Sequence, residues 1–258
     1  MNNILIKVEN LVKTFGGLVA LNDCSLEIQD KAITGIIGPN GSGKTTLFNV
    51  ITGNLKPDTG KVFYNGVEIT NEESHDLFHL GVLRTFQIAH EFSNMTVIEN
   101  LMVVPGDQKG EKLLYSLMNS QKIKKEDELI KDKAMEVLKF LKIEHLKNER
   151  AGNLSGGQKK LLELARTMMV DAKIVFLDEV GAGVNKTLLR DISDSILKLN
   201  QDKGYTFCMI EHDFNFISEL CDPVIVLAEG SVLFKGSAEE VKSNEQVIES
   251  YLGKGLKK

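Results

Sequence analysis

Apolar residues in this chain gather into short runs, separated by longer stretches where they recur every three or four positions. The runs at 4–8, 25–28, 33–37, 61–64, 174–177, 206–210, 224–227 and 232–235 predict strands. In Ile174-Val175-Phe176-Leu177 every position is apolar, as in a strand covered on both faces of a parallel sheet. Helical spacing holds over 45–51, 125–141, 156–169, 188–199 and 213–220. Strands that lead into helices predict an α/β core with a mostly parallel sheet. From about 88 to 153 no strand emerges, only charge-rich helical periodicity with a polar break from Gly106 to Gly110. The economical reading is a helical subdomain, bounded at 88–168, inserted into one α/β domain spanning 1–258. A hairpin turning at Glu229-Gly230-Ser231 follows. A helical extension and tail over 237–258 then opens on a capping box of Ser237 and Glu240, and the end from Gly253 to Lys258 is expected to fray.

Composition narrows the class. With 258 residues, 42% hydrophobic and 26% charged, the chain is ordinary globular protein of one or two domains, and disorder, collagen and coiled coil are excluded. The longest apolar run, 224–228, is far short of the roughly 20 residues of a membrane-spanning helix, and the N-terminus shows no secretory signal pattern. A net charge of 31 − 36 = −5 argues against broad electrostatic binding to nucleic acid or acidic lipid. Cys24, Cys208 and Cys221 are odd in number and lack CxxC spacing, which points to small buried apolar groups in a reducing cytosol. His75, His79, His90 and His145 have no carboxylate or cysteine at metal-ligand spacing, so surface or capping roles are expected.

Three segments carry chemistry. Gly38-Pro39-Asn40-Gly41-Ser42-Gly43-Lys44-Thr45, with Thr46 next, satisfies G-x-x-x-x-G-K-[ST] between a predicted strand and a predicted helix. Glycines let backbone N–H groups wrap phosphates, Lys44 reaches the β/γ-phosphates, and the Thr45 hydroxyl completes a Mg²⁺ shell. Asp178-Glu179 ends the buried run 174–177. Beside a phosphate loop, Asp178 would sit near Mg²⁺ and Glu179 would polarise an attacking water; alone, the pair could equally be solvated charge. Leu154-Ser155-Gly156-Gly157-Gln158 leads into a helix, either as a second anion site serving another subunit's nucleotide or as a plain N-cap at Ser155.

Gly38–Thr45, Leu154–Gln158 and Asp178-Glu179, in that order along the chain, together with His212 after the run 206–210, resemble the ATP-binding subunit of an ABC transporter over nearly the whole chain. The resemblance implies a P-loop NTPase core of the ABC type: a mostly parallel sheet, an antiparallel β part and an inserted helical subdomain. It implies that Phe15 with Ala20 stacks on adenine, that Gln87 touches Mg²⁺ and water, and that His212 contacts the γ-phosphate. It also implies that Ala182-Gly183-Val184-Asn185 crosses a dimer interface. Arg84-Thr85-Phe86-Gln87, then Met95 to Leu101, the long segment after Val104 and Glu211-His212-Asp213 are similar to the larger ATPase subunit of branched-chain amino-acid importers. Two positions depart from the wider pattern. Val180 stands where proline usually follows the catalytic glutamate, leaving an N–H and a softer backbone, and Asn185 replaces an aspartate.

The implied activity is Mg²⁺-dependent ATP hydrolysis by a dimer around two ATPs, with Lys44, Gln87, Glu179 and His212 as the catalytic set and Ser155 to Gln158 contributed by the other subunit. The implied partners are a second ATP-binding subunit, transmembrane permeases and, indirectly, an extracytoplasmic binding protein. The implied place is the cytoplasmic face of the membrane. A permease is expected to dock after Gln87, where Phe92 and Met95 lie in a polar loop. Rival readings are the same engine in a urea or amide importer or a lipid exporter, and a soluble ATPase of iron–sulfur cluster assembly. A GTP-type switch is disfavoured by Glu179, since switches hold water with a glutamine.

Overall fold

In a computed structural model the described residues are 3–85, 91–106, 108 and 120–252. The expected fraying tail, Gln87 and most of the 106–110 break lie outside them. The chain divides into two compact units: 1–87 with 173–182 and 197–258, and 88–172 with 183–196.

The first unit holds two sheets. A four-stranded antiparallel sheet runs in the order β2-β1-β4-β5, from β1 (Ile4–Phe15), β2 (Leu18–Gln29), β4 (Thr59–Tyr64) and β5 (Val67–Glu68). The second has the order β10-β9-β3-β8-β7-β6. Its strands are β3 (Ile33–Ile37), β6 (Val82–Arg84), β7 (Ile174–Asp178), β8 (Thr206–Ile210), β9 (Val224–Ala228) and β10 (Ser231–Gly236). Five of the six are parallel neighbours and β10 alone pairs antiparallel, which matches the expected mixed α/β class. Every residue of β3, β7 and β8 is buried, as in strands covered on both faces. Helices α1 (Lys44–Ile51), α2 (Ser74–His79), α7 (Phe214–Leu220), α8 (Ala238–Ser243) and α9 (Glu245–Leu252) belong to this unit. The core joins Ile6, Leu11 and Leu21 of the antiparallel sheet to Phe48 and Phe176, whose rings meet edge-on at 5.0 Å.

The second unit contains α3 (Val97–Met102), α4 (Ser120–Phe140) and α5 (Gly156–Met168), and α6 (Lys186–Lys203) begins in it. None of its described residues forms a strand, as the periodicity predicts. Where the sequence predicts two short strands, at 4–8 and 25–28, the structure has one twelve-residue hairpin arm each. Asn10 and Asp23, with positive φ, and register shifts at 8/11 and 11/13 break the alternation there. The predicted terminal helix is two helices, α8 and α9. Among the described residues no helix is long and apolar enough to cross a membrane, and no three His, Cys, Asp or Glu groups gather as a metal site. All three cysteines are buried as unbridged thiols.

Candidate functional site

The loop from Gly38 to Gly43 joins β3 to α1 and is shaped by its glycines. Gly43 sits at φ 97°, and a Cβ there would lie 2.4 Å from the Ala20 carbonyl oxygen, so no other residue fits without moving β2. Gly43 also occupies the N-cap of α1, with no capping side chain, and the first turn of α1 has no acidic residue. The helices α3, α5, α7 and α8 are instead capped by their own Thr96, Ser155, Asp213 and Ser237. The leading N–H groups of α1 therefore have no intrahelical acceptor, and the helix dipole adds partial positive charge where they point. Ser42 Oγ is buried with no hydrogen-bond partner among the described residues. Lys44 Nζ donates to the carbonyls of Gly38 at 2.8 Å and Pro39 at 3.0 Å. Burial pushes the Lys44 pKa down, while the Glu179 and Asp178 charges pull it back up. Unspent donors and a buried cation in a glycine cradle fit a polyphosphate.

Two carboxylates stand at the end of β7. Asp178 is buried and is held by Arg84, whose Nη2 donates to Asp178 Oδ2 at 2.7 Å. Arg84 Nη1 donates to Asn49 Oδ1 on α1, so one guanidinium ties β6, β7 and the P-loop helix together. In the sequence Arg84 belongs to the run Arg84-Thr85-Phe86-Gln87 with no role of its own; its partner lies 94 positions away, and no local pattern announces the pair. Glu179 adopts φ 51°, the left-handed region. Its Oε1 accepts from His212 Nε2 at 2.9 Å, bringing together the two residues expected at the γ-phosphate end. The strand order explains the meeting: β3, β8 and β7 are adjacent and parallel, so the P-loop, His212 and Glu179 leave from neighbouring carboxyl ends.

Phe15 ends β1 at the hairpin tip, 48% exposed, with Lys13 Nζ 5.8 Å from its ring centroid. Leu18 and Val19 are exposed beside it in sequence, making an apolar tip that no motif announces. Asp58 anchors this arm, accepting from Lys13 Nζ at 2.8 Å and from the Thr14 N–H and hydroxyl at 2.7 Å. Ala20 is buried, and its carbonyl is the atom that Gly43 approaches.

Ser155 to Gln158 lie in the second unit. Ser155 Oγ accepts from the Gln158 N–H at 3.4 Å, and Gln158 Oε1 accepts from the Ser155 N–H at 2.9 Å. Within one chain, then, Ser155 is an N-cap. Gly157 is buried, and a Cβ on it would lie 2.2 Å from Leu188 Cδ2, so its smallness has a packing cause besides any contact with phosphate. Ser155 and Gly156 are exposed. Asn185 Oδ1 accepts from the Leu188 N–H at 3.0 Å. Phe92 is exposed with Arg166 5.5 Å from its ring centroid, and Met95 is half-buried. Gln87 is outside the described residues.

The family described as ABC transporter matches residues 21–182, and a branched-chain amino acid ATP-binding cassette transporter family matches 231–257. The chain is 43% identical to the probable branched-chain amino acid transport ATP-binding protein LivG of Archaeoglobus fulgidus, over 96% of this chain and 95% of that one. It is 34% identical to the high-affinity branched-chain amino acid transport ATP-binding protein BraF of Pseudomonas aeruginosa, over 98% and 99%. The fold is similar to a nucleotide-free ATP-binding cassette of an ABC transporter, with TM-score 0.83, 41% identity and coverage of 97% and 99%. It is also similar to the ADP conformation of such a cassette, with TM-score 0.82, 40% identity and the same coverage. A bacterial ABC transporter cassette solved as a dimer matches with TM-score 0.74 and 25% identity over 91% and 99%.

Proposed function

Because the chain belongs to the ABC transporter family and is a transport ATPase of that family, we propose that it powers import of branched-chain amino acids. It does so by hydrolysing ATP in a cassette dimer that moves a separate permease at the cytoplasmic face of the membrane. The family membership and the full-length similarity to LivG and BraF support the cargo. The observation that carries the chemistry is the Glu179–His212 contact of 2.9 Å beside the uncapped P-loop helix.

The α1 N–H groups and Lys44 bind the β- and γ-phosphates. Lys44 must first leave the Gly38 and Pro39 carbonyls, which return as its resting partners. Thr45, exposed at the start of α1, and Asp178 offer hard oxygen donors and would hold Mg²⁺ together with Gln87. When bound, the ion neutralises charge on the phosphate oxygens. Arg84 fixes which way Asp178 points. Glu179 takes the proton of the attacking water, and His212 holds its carboxylate in place. Ser155, Gly156, Gly157 and Gln158 of a second subunit complete the γ-phosphate site; the Ser155 cap spends an acceptor lone pair and keeps the hydroxyl proton for donation. Phe15, with Leu18 and Val19, receives the adenine. Catalysis is mainly positioning and electrostatic stabilisation. Phe92, exposed in the second unit, is the apolar contact offered to the permease.

Glu179→Gln tests the chemistry. Hydrolysis should fall about 10²-fold or more while ATP binding persists and dimers accumulate in light scattering. Normal turnover would remove Glu179 from the mechanism. The cargo is tested by reconstitution with the cognate permeases: ATP-dependent uptake of leucine, isoleucine and valine is expected, and uptake of urea instead would overturn that assignment.

A further inference from the structure

Three consecutive residues, beginning with Ile210 at the end of β8, hold two residues just past β7, Glu179 and Gly181. The Ile210 carbonyl accepts from the Glu179 N–H at 3.0 Å. Glu211 Oε1 accepts from the Gly181 N–H at 2.9 Å. His212 Nε2 meets Glu179 Oε1 at 2.9 Å. The first bond continues the β7–β8 ladder and the last is the contact already described; the middle one is made by a side chain with no assigned part.

Glu211 is only 5% exposed. Burying a carboxylate is costly unless its acceptors are used, and here one is used on backbone, the N–H of Gly181. Burial raises its pKa, with the Glu179 charge adding to the rise, so the site keeps a second acid close to Glu179 against an electrostatic penalty. What the fold gains is visible at Glu179. That residue stands at φ 51°, a left-handed conformation costing about 1–2 kcal/mol in an ordinary L-residue, and such conformations persist only where the surroundings hold them. The turn closes with the Ala182 N–H on the Glu179 carbonyl at 3.2 Å. Val180 lacks a proline's fixed φ, so the turn has no covalent stiffener. Glu211 is the side chain that pins it.

We propose that Glu211 is a positioning residue for hydrolysis: by holding the Gly181 N–H it fixes the turn that aims the Glu179 carboxylate, and it couples that turn to the segment bearing His212. This inference rests on the reading of Glu179 as the base.

Glu211→Gln keeps an acceptor at the same reach, whereas Glu211→Met keeps the length and loses it; both lose the charge. ATPase kinetics of the full chain should show kcat of the Met variant at least tenfold below the parent, KM for ATP within threefold, and kcat of the Gln variant within threefold of the parent. Met at the parental kcat overturns the proposal. Equal slowing of both variants overturns it too, since charge and not the bond would then be responsible. Should the Met variant not fold, amide hydrogen exchange of Gly181 in the parent decides: at least tenfold protection supports the bond, and exchange at the rate of an open amide refutes it. Glu179→Gln in parallel separates the two readings. If it hydrolyses normally, the base assignment has failed; if it is inactive while Glu211→Met is normal, only the positioning role has failed.

Discussion

Arg84→Met isolates the worth of the guanidinium behind Asp178. The two side chains are 8% and 3% exposed, with Nη2 and Oδ2 2.7 Å apart. An exposed pair would contribute at most about 1 kcal/mol, but removing one partner of a buried pair leaves an uncompensated charge and costs about 3–5 kcal/mol. Two local features set the position within that range. Asn49 loses its donor as well, which raises the cost. The Lys44 ammonium, close enough to feel the Asp178 charge, still offsets part of the carboxylate and lowers it. The lower end, about 3 kcal/mol, is therefore expected. At about 2–4 °C per kcal/mol for a chain of this size, the melting temperature near pH 7 without nucleotide should drop by about 6–12 °C. Arg84→Met with Asp178→Asn should regain half or more of that loss while remaining inactive, because the orphaned charge is gone. A single variant melting within 2 °C of the parent would show that water screens the pair, and the reasoning would fail.

Phe15→Ala should weaken ATP binding by about 1–3 kcal/mol, and the parent should hydrolyse GTP within about tenfold of ATP, since stacking reads no base edge. Isothermal titration and a thousandfold preference for ATP are the check and the refutation. Gly157→Ala should destabilise the helical unit by about 1–3 kcal/mol through its clash with Leu188, and Leu188→Ala in the same chain should relieve the clash; no relief in thermal melts would place the cause elsewhere. The Asp58 carboxyl is held down to about 2 by hydrogen bonds from Lys13 and Thr14, against 3.8 ordinarily. A folded pKa below the unfolded one gives stability that is present above about 4 and lost as pH falls toward 2. Acid titration of the parent against Asp58→Asn should show that difference narrowing across this window and nowhere above it.

The parts of the site that could be read in advance were those written in consecutive residues. Gly38 to Thr45 is legible because a phosphate cradle needs its glycines, lysine and hydroxyl in one turn, and Asp178-Glu179 because an apolar strand ends in charge. Arg84 with Asp178 and Glu211 with Gly181 were not legible, since each joins strands brought together only by the sheet order. The three-residue strand β6 is too short to show a period. The long hairpin hid behind Asn10 and Asp23, where positive φ shifts which side chains face inward. Gly157 shows the opposite case: its motif was visible, but its neighbour Leu188 was not.

The place of β3 in its sheet bears on how the chain is made. This strand carries the P-loop, is buried along its whole length, and pairs on one side with β8 and on the other with β9. Its first partner residue, Phe207 opposite Ile33, lies 207 − 33 = 174 positions downstream. At about 5–20 residues per second of synthesis, the strand waits roughly ten to thirty seconds for its ladder. For that time Ile33, Ile36 and Ile37 present an apolar edge to anything nearby. The β1–β2 hairpin, closed by neighbours in sequence, has no such wait. Ribosome-bound chains ending before Thr206 should accordingly expose β3 to proteases and recruit chaperones, and chains extended past Ala228 should not.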